Sequence, residues 1–138
     1  MIREEDIFIE GERRLGRYSV VLLQPTSGGE SWVPSVMTLN ALISNYRLIL
    51  QPYKRKYAPA ILPARYIRDV DQTQVSGYHC VSLTLVTGDQ FYLMLGTGNL
   101  NHLYDDLRVM KTPPLKIHIE EPIDSEAIRR LIEFLRGA

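Results

Sequence analysis

The chain has 138 residues, 45% of them hydrophobic, with 16 basic and 16 acidic side chains and a formal net charge of 0. A chain of this length buries roughly two thirds of its unfolded surface, so it needs neither a disulfide framework nor a metal staple. The balanced charge argues against both a disordered chain and a dedicated nucleic-acid binder, because no long-range field would recruit a polyanion. Cys80 is the only cysteine, which excludes an intramolecular disulfide. The opening MIREEDIFIEGERR places acids ahead of any apolar block of signal length, and no run reaches the roughly 20 apolar residues of a membrane span. Cytoplasmic residence is expected, with peripheral association at a membrane surface as a variant.

The predicted elements follow in chain order. Residues 18–23, YSVVLL, read as a strand, and 24–31, QPTSGGES, as a loop by composition. Residues 36–43 form the next strand, Ser44-Asn45 a tight connection, and 46–50 the strand after it, ended by Gln51-Pro52. A short strand at 60–62 stops at Pro63, and 66–75 alternates as another. Ser76-Gly77 and Gly88-Asp89 then punctuate strands at 78–87 and 90–95. These are about seven short strands with no helix-length segment between them, which argues against a βαβ fold.

After Gly96 the period changes. Leu100, Leu103, Leu107 and Met110 recur at helical spacing, with Asn99 or Thr97 as the cap, and Met110-Lys111-Thr112-Pro113-Pro114 breaks the helix. Burying that stripe at about 25 cal/mol per Å² contributes several kcal/mol, so plugging the open end of a curved sheet is its best use. Residues 115–119 read as extended. A second helix starts at Asp124, with Ile128, Leu131, Ile132 and Leu135 as its apolar stripe, Ile123 as a hydrophobic staple and Gly137 as its stop.

Four stretches in this order resemble the GRAM domain family of the pleckstrin-homology-like superfamily. ALISNYRLIL (41–50) is similar to its signature hairpin: apolar strand, Ser/Thr-Asn turn, aromatic, Arg, apolar strand. ILPARYIRDV (61–70) resembles its Pro-containing strand and turn, LTLVTGDQFYL (83–93) its later hairpin, and Leu103-Tyr104-Asp105-Asp106-Leu107 its closing helix. The resemblance implies a mainly β fold: a pleckstrin-homology-like barrel of about seven antiparallel strands capped by a C-terminal helix. Residues 1–110 would form that barrel, and 111–138 an extended segment and amphipathic helix appended to the same domain. It also implies binding rather than catalysis. The lipid-binding relatives place Lys and Arg around the first inter-strand loop, whereas residues 24–31 carry none and one Glu.

Residues 31–68 hold Arg47, Lys54, Arg55, Lys56, Arg65 and Arg68 and no acid. Lys54, Arg55 and Lys56, flanked by Tyr53 and Tyr57, make a candidate binding loop for phosphate or carboxylate. The plainer reading is a solvated connection offset by Asp69 and Asp71. Arg47 alternates with Leu48 and Leu50 and is expected to face outward, its stem covering the sheet. His79 and Cys80 are adjacent on a strand and diverge, so they make neither a dyad nor a ligand pair. Asp105-Asp106 falls on the exposed side of its helix and makes no acid/base pair. No nucleophile–base pattern, metal set or cofactor motif is present in the sequence. The expected function is a noncatalytic binding or scaffolding module, for a protein partner or self-association through Ile128, Leu131, Ile132 and Leu135. The alternative is peripheral binding to anionic lipid through residues 53–57.

Overall fold

The computed structural model describes residues 8–53, 59–96, 98–111 and residue 129. Among the described residues seven strands form one sheet: β1 (Arg14–Pro25), β2 (Trp32–Ser44), β3 (Arg47–Pro52), β4 (Ala60–Pro63), β5 (Ile67–Val75), β6 (Tyr78–Leu85) and β7 (Gln90–Leu95). Their order is β4-β3-β2-β1-β7-β6-β5, and every described pairing is antiparallel. An α-helix, α1 (Leu100–Met110), follows β7. A sheet in this order capped by a C-terminal helix is a generic pleckstrin-homology-like topology.

Alternation builds the core. Val20 and Leu22 of β1, Leu39, Ala41 and Ile43 of β2, and Leu48 and Leu50 of β3 point to one side with Val81, Leu83 and Leu85 of β6. Leu103, Leu107 and Met110 of α1 join them, each 0% exposed, so the helical stripe read from spacing is the stripe that closes the core. A register shift between Val21 and Leu23 bends β1 and leaves both Leu22 and Leu23 buried. Pro34 pairs with Leu23 at that irregularity, where a missing N–H interrupts the least ladder. This is why β1 and β2 run well past the predicted 18–23 and 36–43.

The sheet does not close into a barrel. β4 and β5 are the two ends of the strand order and are not paired with each other. Between them Ala64–Tyr66 forms a single 3-10 turn, where the sequence predicted β5 to begin at Tyr66. Ala64 N donates to Tyr46 O at 2.9 Å and Val86 N to Tyr66 O at 2.9 Å, which spends the turn's backbone groups on neighbouring turns. β5 also keeps an exposed polar edge, with Arg68, Asp69, Asp71, Gln72, Thr73 and Gln74 all solvated. The expected barrel is therefore an open sheet with two edges. Of the two expected helices, α1 is present; the second, apart from Arg129, and the 115–119 extended segment lie outside the described residues. The expected division at residue 110 falls at the end of α1.

Candidate functional site

A tight connection forms between β2 and β3, one residue later than predicted, at Asn45-Tyr46, and is tied to the segment before β1. Asn45 N donates to Arg13 O at 3.1 Å, Arg13 N to Asn45 Oδ1 at 2.9 Å, and Asn45 Nδ2 to Gly11 O at 3.1 Å. Ser44, 0% exposed, accepts at its hydroxyl from Tyr46 N at 3.1 Å and Arg47 N at 3.0 Å. Its own proton goes to Glu12 Oε2 at 2.5 Å.

Arg47 departs from expectation. It does not face water: its side chain is 12% exposed and grips Glu12, whose side chain is 0% exposed. Arg47 Nε donates to Oε2 and Nη2 to Oε1, both at 3.0 Å, in the forked geometry that makes such pairs strong. Ile9 N adds a bond to Oε1 at 3.1 Å, and the guanidinium lies 5.8 Å from the Tyr46 ring centroid. Glu12 is the residue that sequence reasoning missed. It lies 35 positions from Arg47 inside a run of alternating charges, where it reads as mixed surface.

A second polar junction fastens α1 to β1. The Tyr18 hydroxyl donates to Asp106 Oδ2, so Asp106 is half-buried and employed in packing, not on an exposed face as expected. Gly16 allows this approach, because a Cβ there would collide with the Asp106 carboxylate and sit 2.8 Å from Tyr18 Cε2. Asn99 caps the helix, its side chain accepting from Asn101 N at 2.9 Å. At the other end Lys111 Nζ donates to Ala64 O at 3.3 Å and to Ile67 O, holding the 3-10 turn against the helix. Burial lowers the Lys111 pKa, partly countered by Asp69.

Burial first, then the bond to Asp106 and the charges of Asp106 and Asp105, push the Tyr18 phenol well above its ordinary 10.0. Folded Tyr18 holds its proton more tightly than unfolded Tyr18. Its contribution is full below pH 10 and is lost as pH rises above that value. Denaturant melts from pH 8 to 11 should show the native protein losing stability relative to Tyr18→Phe above about pH 10. Lys111 is common to both proteins and cancels; parallel curves would remove Tyr18 from the linkage.

Of the predicted binding residues, Tyr53 is described and is 54% exposed. Lys54, Arg55, Lys56 and Tyr57 lie outside the described residues, as do Ile128, Leu131, Ile132 and Leu135. Tyr53 directly follows β3, and in the neighbouring edge strand β4 Ile61 is 40% exposed. Two cations of the acid-free stretch are engaged by carboxylates: Arg47 by Glu12, and Arg68 by Asp69 at 3.1 Å. Arg65 lies 5.4 Å from the Tyr66 ring centroid. His79 is exposed and Cys80 buried, so the two diverge, and burial raises the Cys80 pKa. Among the described residues no group of three or more His, Cys, Asp and Glu could hold a metal ion. Among them, too, no helix is long and apolar enough to cross a membrane.

No family model matches the chain. No curated protein matches it either. The pleckstrin-homology-like likeness therefore stands on strand order and the closing helix alone.

Proposed function

We propose that the chain is a noncatalytic binding module, GRAM-like in its 41–50 hairpin, that takes an extended acidic protein segment along the β3–β4 edge. One observation carries the reading. Tyr53, just past the end of β3, and Ile61, within an edge strand of only four residues, are large apolar side chains left 54% and 40% exposed. An open edge offers backbone hydrogen bonds to an added strand, and alternate side chains supply selectivity. The adjoining residues 54–56 are Lys-Arg-Lys, within the stretch 31–68 that has no acid, so the complementary partner is acidic. A second copy of this chain is a poorer occupant, since its own edge would bring like charges together.

Selection of a random-peptide display library on the full chain tests this. Enriched peptides should be acidic with alternating apolar residues, and Ile61→Glu should abolish their binding while leaving the melting temperature near that of the native protein. Enrichment without acidic bias, or binding indifferent to Ile61→Glu, would contradict it.

The same acid-free stretch also favours anionic lipid as a second reading. Each favourable cation contributes about 1 kcal/mol at such a surface. With Arg47 and Arg68 already held by carboxylates, Lys54, Arg55 and Lys56 would carry most of it. That reading predicts salt-sensitive sedimentation with phosphatidylserine vesicles, lost in a Lys54→Gln/Arg55→Gln/Lys56→Gln variant. No sedimentation at low salt eliminates it.

A further inference from the structure

We propose that Lys111 is a positioning residue for the β4 edge: its ammonium clamps the chain on both sides of the 3-10 turn and so fixes the end of the strand on which a partner segment is added. The role presupposes the β4 recognition edge proposed above and extends it to a residue outside that edge.

A lysine at the end of a helix ordinarily turns its charge toward that helix's own last carbonyls. Lys111 does otherwise. It is the C-cap of α1, and its backbone N–H bonds Arg108 O and Val109 O. Its Nζ reaches back to residues 47 and 44 positions earlier, donating to Ala64 O at 3.3 Å and to Ile67 O. Ala64 directly follows β4, and Ile67 opens β5. One ammonium therefore spans the connection between the two end strands of the described sheet. Two carbonyls on either side of a turn need at least two donors from one head group, and the ammonium carries three. Ala64 O also accepts the Ile67 N–H, the bond that closes the 3-10 turn, so the clamp and the turn share an acceptor.

The consequence falls on β4 because that strand is short. It has four residues, and among the described residues it pairs only with β3, from Arg47↔Pro63 to Leu50↔Ala60. A strand of that length frays from its ends unless they are tied. At its C-terminal end the tie is Ala64, held through its N–H by Tyr46 O of the β2–β3 turn and through its carbonyl by Lys111. Val86 N, bonded to Tyr66 O, fastens the same turn to the β6–β7 connection. An edge already extended before the partner arrives spares the complex the cost of ordering it. Lys111 thus acts on recognition through the strand rather than by contact with the segment recognised.

The test removes the ammonium from the full chain and then restores it. In a Cys80→Ala background, Lys111→Cys carries the only thiol. Alkylation with bromoethylamine rebuilds an ammonium of lysine's reach, and alkylation with iodoacetamide leaves a neutral group. In native-state hydrogen exchange the neutral form should exchange the Ala64 and Ile67 amides about tenfold faster than the native chain. Val20, paired on both sides by β2 and β7, should be unchanged. Affinity for an acidic peptide selected on the native chain should fall about tenfold, at about 0.15 M and about 0.5 M salt alike, because the effect of one lost charge alone fades with screening. The aminoethylated form should recover both readouts, whereas a side chain that merely packed there would be replaced equally well by either adduct. Unchanged exchange at Ala64 and Ile67 in the neutral form overturns the clamp, whatever the peptide does. Faster exchange with unaltered affinity, or equal behaviour of the two adducts, overturns the positioning role and leaves the β4 edge as a recognition surface. If the native chain binds no acidic peptide, β4 is not a recognition edge and Lys111 has nothing to position.

Discussion

Glu12→Ala should destabilise the protein by about 3–5 kcal/mol, because it leaves the Arg47 guanidinium buried without its counter-ion. For a domain of this size that is a fall of roughly 10 °C or more in melting temperature. Breaking the pair also leaves the Ile9 amide without its acceptor and the Ser44 hydroxyl proton with only Arg47 O, at 3.3 Å. Glu12→Met combined with Arg47→Met should recover most of the loss, since an apolar pair of similar volume avoids the desolvation of two ions. A double-mutant cycle by chemical denaturation reads this directly. If Glu12→Ala costs less than about 1 kcal/mol, the pair behaves as a surface bridge and the clasp is not a framework element.

Leu107→Ala should cost about 2–5 kcal/mol, the usual range for removing a fully buried leucine that leaves a cavity. Leu107 is 0% exposed where α1 closes the core, and Val109, two residues on, is 51% exposed. Val109→Ala should change stability by no more than about 0.5 kcal/mol. The contrast separates core closure from helix propensity, because both substitutions place alanine in the same helix. Equal effects would mean that α1 does not plug the sheet.

The strands were legible because their alternation is local. Ala41, Ile43, Leu48 and Leu50 interleave with residues of the other face across one tight turn, and the helix showed itself by the 3-4-3 spacing of its buried residues. Asn99 was readable as a cap for the same reason. Barrel closure was not legible. It depends on whether β4 and β5 pair, which is settled by the geometry of Pro63-Ala64-Arg65-Tyr66 and not by any alternation; there the chain makes a 3-10 turn and leaves both edges open. The ends of β1 and β2 were missed because polar residues such as Arg14 and Arg17, and Pro34, break the apolar pattern while the ladder continues.

The polar junctions were hidden for a different reason. Glu12 with Arg47, and Tyr18 with Asp106, join positions 35 and 88 apart. Nothing in the local sequence distinguishes a buried carboxylate from its exposed neighbours Glu10 and Asp105. Once the pairs are seen, the sense of the hairpin changes. Its arginine belongs to a clasp between the N-terminal segment and the β2–β3 turn, and the recognition surface proposed above lies elsewhere, at the end of β3 and the β4 edge.

That division between framework and recognition surface is most directly tested by chemical-shift mapping. A peptide enriched on the full chain would be titrated into isotopically labelled protein. Shifts should concentrate at Gln51, Pro52 and Tyr53 and along Ala60–Pro63, with Glu12, Ser44 and Arg47 unmoved. Shifts centred on the β5 edge or on Thr26–Ser31, with β4 silent, would contradict the assignment.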